Sequence, residues 1–327
     1  MTSSGTFENV ELERFFDVRV AGKRAVARDT YHFELVAMDG GKLPGFSPGS
    51  HITVVTPIGS RRNYSLCSDA ADTMRYEIAV KRDINGRGGS ISITDDVNEG
   101  GVLTISAPRN NFELSPRAKQ SIFIAGGIGI TPILSMMRGL KRGANGHSFE
   151  LFYCTRDAEC TAFADELQAE FPGLVTVHHD KGDSANGFDF WPVFERPTAA
   201  HVYCCGPKGL MDSVADMSGH WPSGSIHFES FGVDAKLFSE NTAFSVTLQR
   251  SGKRVFVRPE QTLLEVLRAA GYVVRSSCES GTCGSCKTGL VSGAVEHRDS
   301  VLSDDEKRDH IMVCVSRAAA GELVLDL

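Results

Sequence analysis

Four cysteines near the C-terminal end of the chain have a spacing that suits a metal cluster. Cys278, Cys283 and Cys286 are spaced C-x4-C-x2-C, and Cys314 follows in the apolar run IMVCVS. Three close thiolates with one distant fourth are typical of a plant-type 2Fe–2S cluster. The pattern therefore predicts that this end of the chain handles single electrons.

The residues between these cysteines are those that a cluster-binding loop requires. Gly281 and Gly284 allow backbone angles that are closed to other residues. Four thiolates could also bind zinc, but structural zinc sites usually pair two C-x2-4-C knuckles, and only Cys283 and Cys286 form one here. Disulfides are a third option, weakened by the odd total of nine cysteines and by the absence of a secretory signal. The spacing favours iron–sulfur over both.

Length and composition bound the remaining possibilities. A chain of 327 residues predicts about two domains, with three small ones possible. Its 41% hydrophobic and 23% charged content is ordinary for a soluble globular protein, and no apolar run reaches the roughly 18 residues that a membrane span needs. The net charge of −7 does not indicate a basic surface that would bind nucleic acid. We expect a cytoplasmic protein, monomeric, with neither nucleic acid nor membrane as partner.

The elements that must position this chemistry begin with a β-rich first third. From Phe16 to about Ile105, short strand-like runs are separated by turn residues, which favours an antiparallel barrel or sandwich. In the string RRNYSLCS, Arg62 suits a phosphate, Tyr64 suits a flat ring system, and Ser65 has a hydroxyl that can reach a ring nitrogen. A tyrosine in a strand is, on the other hand, often simply half-buried.

A glycine-rich turn strengthens the interpretation of this third as a binding domain. The turn contains Gly88 and Gly89, and Ser90 opens a predicted helix. A helix N-terminus carries about half a positive charge and unpaired N–H groups, which suit a phosphate. The alternative is a flexible loop.

The middle third changes to a pattern of strand followed by helix. A buried strand over Ile122–Ala125 leads into a glycine turn and an amphipathic helix over Thr131–Lys141. A second helix is predicted over Glu159–Phe171. Such alternation predicts a parallel sheet with ligands at its carboxyl edge, although the turn is not G-x-G-x-x-G. The turn glycines that would approach a pyrophosphate are Gly126, Gly127 and Gly129.

A second turn of the same kind follows the strand VYCC. Cys205 ends that strand and is followed by Gly206 and Pro207, so it is set apart from Cys154 and Cys204, which we interpret as inert core. His178, His179 and His201 have no ligand-like spacing and are interpreted as structural or solvated.

Three motifs in fixed order, RNYSL, GGIGITP with CGPKGLM, and CESGTCGSC with Cys314, resemble the ferredoxin–NADP reductase superfamily with a C-terminal plant-type ferredoxin. The chain looks in particular like the phthalate dioxygenase reductase family, from about Arg19 to Leu327. The resemblance implies a flavin barrel over residues 1–111, an α/β parallel-sheet nucleotide domain over 112–231, a linker over 232–242 and an α+β β-grasp ferredoxin domain over 243–327.

The resemblance also implies roles for individual residues. In the flavin site it places Arg62 toward phosphate, Tyr64 against the isoalloxazine and Ser65 near N5. Asn63 is counted among these cofactor-binding residues, although its side chain need not face the ring. The remaining implied flavin contacts are Ala79, Val80, Lys81, Gly88, Gly89, Ser90 and Phe231, the last covering the nicotinamide side. The implied nucleotide contacts are Gly126, Gly127, Gly129, Thr131, Cys205, Gly206 and Pro207. The implied flavin is FMN.

The expected activity is electron transfer from NADH through FMN and a 2Fe–2S cluster to a separate terminal Rieske oxygenase of aromatic catabolism. A flavin is needed because a hydride carries two electrons and the cluster accepts one. We expect Cys205, Ser65 and Glu229 to meet the reacting atoms. For the nucleotide, Arg156 could meet a 2′-phosphate, whereas Asp157 could accept from a free ribose hydroxyl or repel the phosphate, and the resemblance favours NADH. Alternatives are a reductase for another oxygenase type, such as a diiron monooxygenase, a redox sensor without turnover, and a colourless zinc module.

Overall fold

The computed structural model describes residues 14–143, 146–222, 224–231, 241–276, 281, 284–299 and 301–327. Within these ranges, no helix is long and apolar enough to cross a membrane. The strands form three separate sheets that follow one another along the chain.

The first sheet is antiparallel and closes on itself. Its order is β4-β3-β6-β1-β2-β5, and a single bridge between Leu66 and Ile78 joins the two ends. Alternating side chains, with Phe33 and Leu35 fully buried, fill its interior. Its elements are β1 (Phe15–Ala27), β2 (Thr30–Ala37), β3 (Ser50–Val55), β4 (Arg61–Ser65), β5 (Arg75–Lys81), α1 (Gly89–Asp96), β6 (Val102–Ser106) and β7 (Arg109–Asn110). The expected β-barrel is confirmed.

The second sheet is parallel, with the order β10-β9-β8-β11-β12. Its first strand lies in the middle and the order reverses between β8 and β11, so a crevice opens beyond their carboxyl ends. Its elements are β8 (Gln120–Gly126), α2 (Ile130–Gly143), β9 (Ser148–Thr155), α3 (Ala164–Glu170), β10 (Val175–His179), α4 (Trp191–Phe194), β11 (His201–Cys205), α5 (Lys208–Ser218) and β12 (Ile226–Glu229). The expected α/β parallel-sheet domain is confirmed.

The predicted helix over Glu159–Phe171 is wrong in its extent. The chain forms a 3₁₀ turn at Ala158–Cys160 and then α3, separated by Phe163 with φ of 60°. The Asp157 carboxylate caps the short turn, and Phe163 packs edge-on against His32 of the barrel at 5.7 Å. Packing against the barrel thus breaks a segment whose periodicity alone is helical.

The third sheet is mixed, with the order β14-β13-β17-β15-β16, in which only β13 and β17 are parallel. Helix α6 begins after Thr262, whose side chain forms a capping box with Glu265. Its elements are β13 (Phe244–Leu248), β14 (Lys253–Val257), α6 (Leu263–Ala269), β15 (Lys287–Glu296), β16 (His310–Met312) and β17 (Arg317–Leu325). This is the expected β-grasp arrangement.

Candidate functional site

The barrel brings the two phosphate-binding features of the sequence together. Gly88 has φ of 78° and precedes α1, whose N-terminus has no side-chain cap. A Cβ at Gly89 would lie only 3.0 Å from Nε of Arg62 and 3.1 Å from Oγ of Ser60. The helix N-terminus and a guanidinium therefore face one small volume, which fits the phosphate of a flavin nucleotide.

The next residues of β4 differ in where they point. The Asn63 amide oxygen accepts a hydrogen bond from the Thr53 hydroxyl at 2.8 Å, so this side chain is turned to the neighbouring strand. Tyr64 is partly buried, and burial raises the pKa of its hydroxyl, so the ring is a neutral phenol at physiological pH. Its flat apolar face suits contact with a flavin ring.

Ser65 connects the barrel to the nucleotide sheet. Its side chain is buried, and its hydroxyl donates to Oε2 of Glu229 at 3.4 Å. Glu229 is the last residue of β12 and lies opposite Cys205 in the parallel register. The predicted catalytic residues Ser65, Cys205 and Glu229 are therefore neighbours, and their roles at the reacting atoms stay predictions.

The other predicted flavin contacts, on β5, at Ser90 and at Phe231, differ in how deeply they are buried. Ala79 and Val80 are buried and Lys81 is exposed at the end of β5. The side chain of Val80 belongs to the barrel core, whereas Ala79 packs with residues of the nucleotide domain. Phe231 is 42% exposed. Ser90 is partly buried, and its hydroxyl accepts from the backbone N–H of Asp83 at 3.1 Å.

The two glycine turns of the nucleotide domain pack against each other at the crevice between β8 and β11. A Cβ at Gly129 would lie 2.1 Å from the carbonyl oxygen of Cys205, and one at Gly126 would lie 2.5 Å from Cδ of Pro207. A Cβ at Gly206 would lie 2.9 Å from the backbone of Gly126. Only glycine permits the two turns to approach this closely. The crevice is therefore lined by backbone rather than by side chains, as pyrophosphate binding requires.

Two further predicted contacts lie beside that crevice. Gly127 has φ of 52°, and its carbonyl accepts a hydrogen bond from the Tyr153 hydroxyl at 3.0 Å. Thr131 is buried in the first turn of α2, where its hydroxyl donates to the Ile128 carbonyl at 3.1 Å. Both hydrogen bonds stabilise the conformation of the first glycine turn.

Cys205 is completely buried, like Cys204 before it. Burial, and next the neighbouring Glu229 carboxylate, raise the pKa of the Cys205 thiol well above its ordinary value. The thiol therefore stays protonated at neutral pH and is no nucleophile. Its contact with a nicotinamide stays a prediction.

Arg156 and Asp157 follow β9 at the same edge of the sheet. Burial opposes ionisation of Asp157, but hydrogen bonds with Cys160 and the nearby charge of Arg28 hold its pKa below the ordinary range. Its carboxylate caps the turn at 3.0 Å from the Cys160 N–H and pairs with Arg28 at 3.3 Å. The Arg156 side chain lies beside Gly182, 3.4 Å from where a Cβ there would be.

The described part of the cysteine site brings two of its four thiols to one place. Cys286 immediately precedes β15 and Cys314 follows β16 by two residues; the two strands pair with Lys287 opposite Met312, and both cysteines are buried. The described cysteines form no disulfide. Cys278 and Cys283 lie outside the described residues.

The glycines of this loop have the backbone angles that the sequence predicts. Gly281 has φ of 77° and Gly284 has φ of 78°. A Cβ at Gly281 would lie 2.8 Å from Cγ2 of Val315, so Gly281 packs directly over the segment that carries Cys314. The two buried thiols of Cys286 and Cys314, close to glycines with these backbone angles, fit a 2Fe–2S cluster.

Two polar residues of α2 that the sequence analysis did not single out join the nucleotide domain to the flavin segment. The Ser135 hydroxyl donates to the Ser68 carbonyl at 2.8 Å, and Arg138 donates to the Cys67 carbonyl at 2.8 Å. Arg138 also pairs with Glu170 at 2.6 Å. These bonds fix the helix behind the first glycine turn to the chain just after Ser65. No sequence signal marks them, because each is a long-range contact of an ordinary helical residue.

Comparison with known proteins agrees with this geometry. Residues 246–319 match the 2Fe-2S iron-sulfur cluster binding domain, and residues 123–216 match the oxidoreductase NAD-binding domain. The chain is 56% identical to the phthalate 4,5-dioxygenase oxygenase reductase subunit of Pseudomonas putida, over 96% of this chain and 97% of the relative. It is 37% identical to the vanillate O-demethylase oxidoreductase of a Pseudomonas strain, over 95% and 99%.

A solved structure gives the same result. Phthalate dioxygenase reductase, described as a modular structure for electron transfer from pyridine nucleotides to [2Fe-2S], matches with a TM-score of 0.87 and 57% identity, over 96% of this chain and 98% of that one. The phthalate dioxygenase reductase of Burkholderia cepacia is likewise 57% identical, over 96% and 98%. This chain therefore belongs to the phthalate dioxygenase reductase family of iron–sulfur flavoprotein oxidoreductases.

Proposed function

We propose that this chain is the NADH-dependent reductase of a two-component aromatic-ring oxygenase or O-demethylase, with FMN and a 2Fe–2S cluster as its cofactors. The observation that carries the proposal is the contact between Ser65 and Glu229 across the border of barrel and nucleotide sheet. It puts the predicted flavin strand beside the crevice at which a pyridine nucleotide would bind.

The residues that would hold the flavin are Arg62 and the turn before α1 for its phosphate, and Tyr64 and Ser65 for its ring system. A flavin held by these residues would supply the conversion between a two-electron hydride donor and a one-electron cluster. Ser65 keeps a hydroxyl proton between β4 and the Glu229 carboxylate. The hydroxyl has only this one proton, so it polarises an acceptor atom at the border by rotating away from Glu229, which holds it in orientation until then.

The nucleotide domain contributes position rather than proton transfer. The packed turns at Gly129 and Gly206 leave backbone for the pyrophosphate, and the protonated Cys205 thiol adds no charge where an uncharged dihydronicotinamide would lie. The charged Asp157 carboxylate at the end of β9 supports NADH over NADPH, since a 2′-phosphate there would meet like charge.

The acceptor we propose is a terminal Rieske-type oxygenase on a separate chain. Among the described residues, only His32, Cys67 and Glu77 form a group of three metal-ligating side chains. The Arg138 guanidinium lies 3.2 Å from the Glu77 carboxylate and would repel a metal ion there. The relatives, which are reductase components of oxygenase and demethylase systems, support a separate oxygenase as the site of oxygen activation. We also propose a cytoplasmic location, because reduced thiolates are required for the cluster.

The test is an anaerobic titration of the purified full chain with NADH and, in parallel, with NADPH. We expect NADH to bleach the flavin first and the cluster next, and the protein to reduce cytochrome c catalytically. A protein that takes up electrons without turning over cytochrome c would be a redox sensor instead, and preference for NADPH would contradict the role of Asp157.

A further inference from the structure

The barrel and the C-terminal domain meet through two arginines of the barrel. Arg87 pairs with Glu265 of α6, with 2.8 Å between Nη1 and Oε1. Arg109 of β7 donates to the carbonyl of Ser276 at 3.3 Å. Ser276 lies two residues before Cys278, at the start of the segment 276–286, which we call the cysteine loop. Arg87 therefore reaches the helix, and Arg109 reaches the start of the cysteine loop.

The partner of Arg87 is held in place before the pairing is made. Glu265 is the third residue of α6, and its Oε2 accepts from the backbone N–H of Thr262 at 2.9 Å, while the Thr262 hydroxyl accepts from the Glu265 N–H at 3.1 Å. The capping box therefore orients the carboxylate and leaves Oε1 directed to the barrel. Little side-chain freedom is lost when Arg87 binds it.

The same helix connects this ion pair to the cysteine loop. Arg268 lies one turn after Glu265, and its guanidinium donates to the Ser276 hydroxyl. The side chain and the carbonyl of Ser276 are thus bound by α6 and by the barrel respectively. Movement of the C-terminal domain away from the barrel would break the contacts of Arg87 and Arg109 together.

Arg87 also lies directly before the turn that would hold the flavin phosphate. The next two residues are Gly88, at the N-terminus of α1, and Gly89, which packs against Arg62. An anion bound in this turn would fix the backbone on which Arg87 stands. The predicted phosphate contacts of the flavin and one contact between the domains therefore both lie within residues 87–89.

We propose that Arg87 and Arg109 form a latch that holds α6 and Ser276 against the flavin barrel for electron transfer between the two cofactors, and that a flavin phosphate in the turn at Gly88 strengthens the latch. The inference rests on the proposed function for its electron-transfer step. Arg87 and Glu265 are about one-third exposed, so the pair contributes roughly two- to fivefold to the docked population and weakens as salt rises.

The kinetic test compares Arg87→Gln, Glu265→Gln and the double variant with wild-type holoenzyme at low salt. Glutamine at position 265 retains the capping hydrogen bond and removes only the charge. Arg82→Gln is the matched control, because Arg82 stands on the same loop but pairs with Asp95 within the barrel. Rapid mixing with NADH separates flavin reduction from the later reduction of the cluster.

We expect each single variant to slow cluster reduction roughly two- to fivefold, and the double variant to slow it no further, since both changes remove one interaction. Flavin reduction by NADH, and both steps in the Arg82→Gln control, should match wild type. Additive losses, or cluster reduction at the wild-type rate in both single variants, would overturn the latch. Failure of NADH to reduce the flavin would overturn the proposed function instead.

A second readout needs no turnover. In Arg87→Lys, a carbodiimide joins the new amine to Glu265 without a spacer, and mass spectrometry measures the linked peptide. We expect the yield to rise when FMN is added to flavin-free full-length protein and to fall at high salt. An equal yield with and without FMN would refute the coupling to the phosphate turn, and no link in either form would refute the latch itself.

Discussion

Replacing Gly129 by alanine tests the packed glycine turns most severely. The new Cβ would lie 2.1 Å from the carbonyl oxygen of Cys205 and 2.5 Å from its carbonyl carbon, both of them backbone atoms. Contacts below 3.0 Å are not tolerated, so the turn and the end of β11 must separate by roughly 1 Å. Overpacking of this kind costs about 1–3 kcal/mol.

The separation would displace the proposed pyrophosphate and nicotinamide positions together. A misplacement of about 1 Å at a reacting centre lowers a rate by roughly a hundredfold, which is about 2.7 kcal/mol of transition-state binding. We therefore expect Gly129→Ala to lower kcat/KM for NADH in flavin reduction by about that factor, while flavin content and chemical reduction of the cluster remain normal.

Gly219→Ala is the matched control in the same domain. Gly219 ends α5 with an ordinary φ of −58°, and a Cβ there would meet nothing closer than 3.8 Å. Its kcat/KM should equal that of wild type. If Gly129→Ala also stayed within twofold of wild type, the crevice between β8 and β11 would not be the nucleotide site.

Three further predictions follow from individual side chains. Ser65→Ala should slow flavin reduction by NADH by up to roughly a hundredfold without changing cluster absorbance, and an unchanged stopped-flow rate would reject its role. Cys314→Ser should lose iron while keeping a flavin that NADH still reduces; retention of iron would remove Cys314 from the ligand set. For Glu77, burial raises the pKa, but His32, Arg138 and Arg75 outweigh it and hold the pKa below its ordinary 4.5. The carboxylate therefore stabilises the folded state above that value, and the stabilisation is lost as pH falls through the lower folded-state pKa; Glu77→Gln should flatten this acid dependence of the thermal midpoint, and an unchanged slope would contradict it.

Local signals in the sequence were sufficient for the elements that carry the site. The glycines around Gly126 and Gly206 mark turns at the ends of buried strands because a side chain there would strike backbone. The residue type and its near neighbours determine the structure of these turns, so they could be predicted from the sequence without knowledge of the fold.

Contacts between domains could not be predicted from the sequence. The helix predicted through Phe163 is broken because that ring packs on His32, more than a hundred residues earlier. The Glu265 carboxylate caps its own helix through Thr262, three residues earlier, but its second partner, Arg87, is 178 residues away. Such pairs carry no local periodicity, since only the assembled domains bring them together.

Iron, acid-labile sulfide and flavin analysis of the freshly purified full chain, combined with its NADH-reduced spectrum, determines whether one chain holds both cofactors and reduces them with NADH. We expect about two irons, two labile sulfides and one FMN per chain, with NADH bleaching both chromophores. A colourless protein that contains zinc, or that contains iron but no flavin, would contradict it.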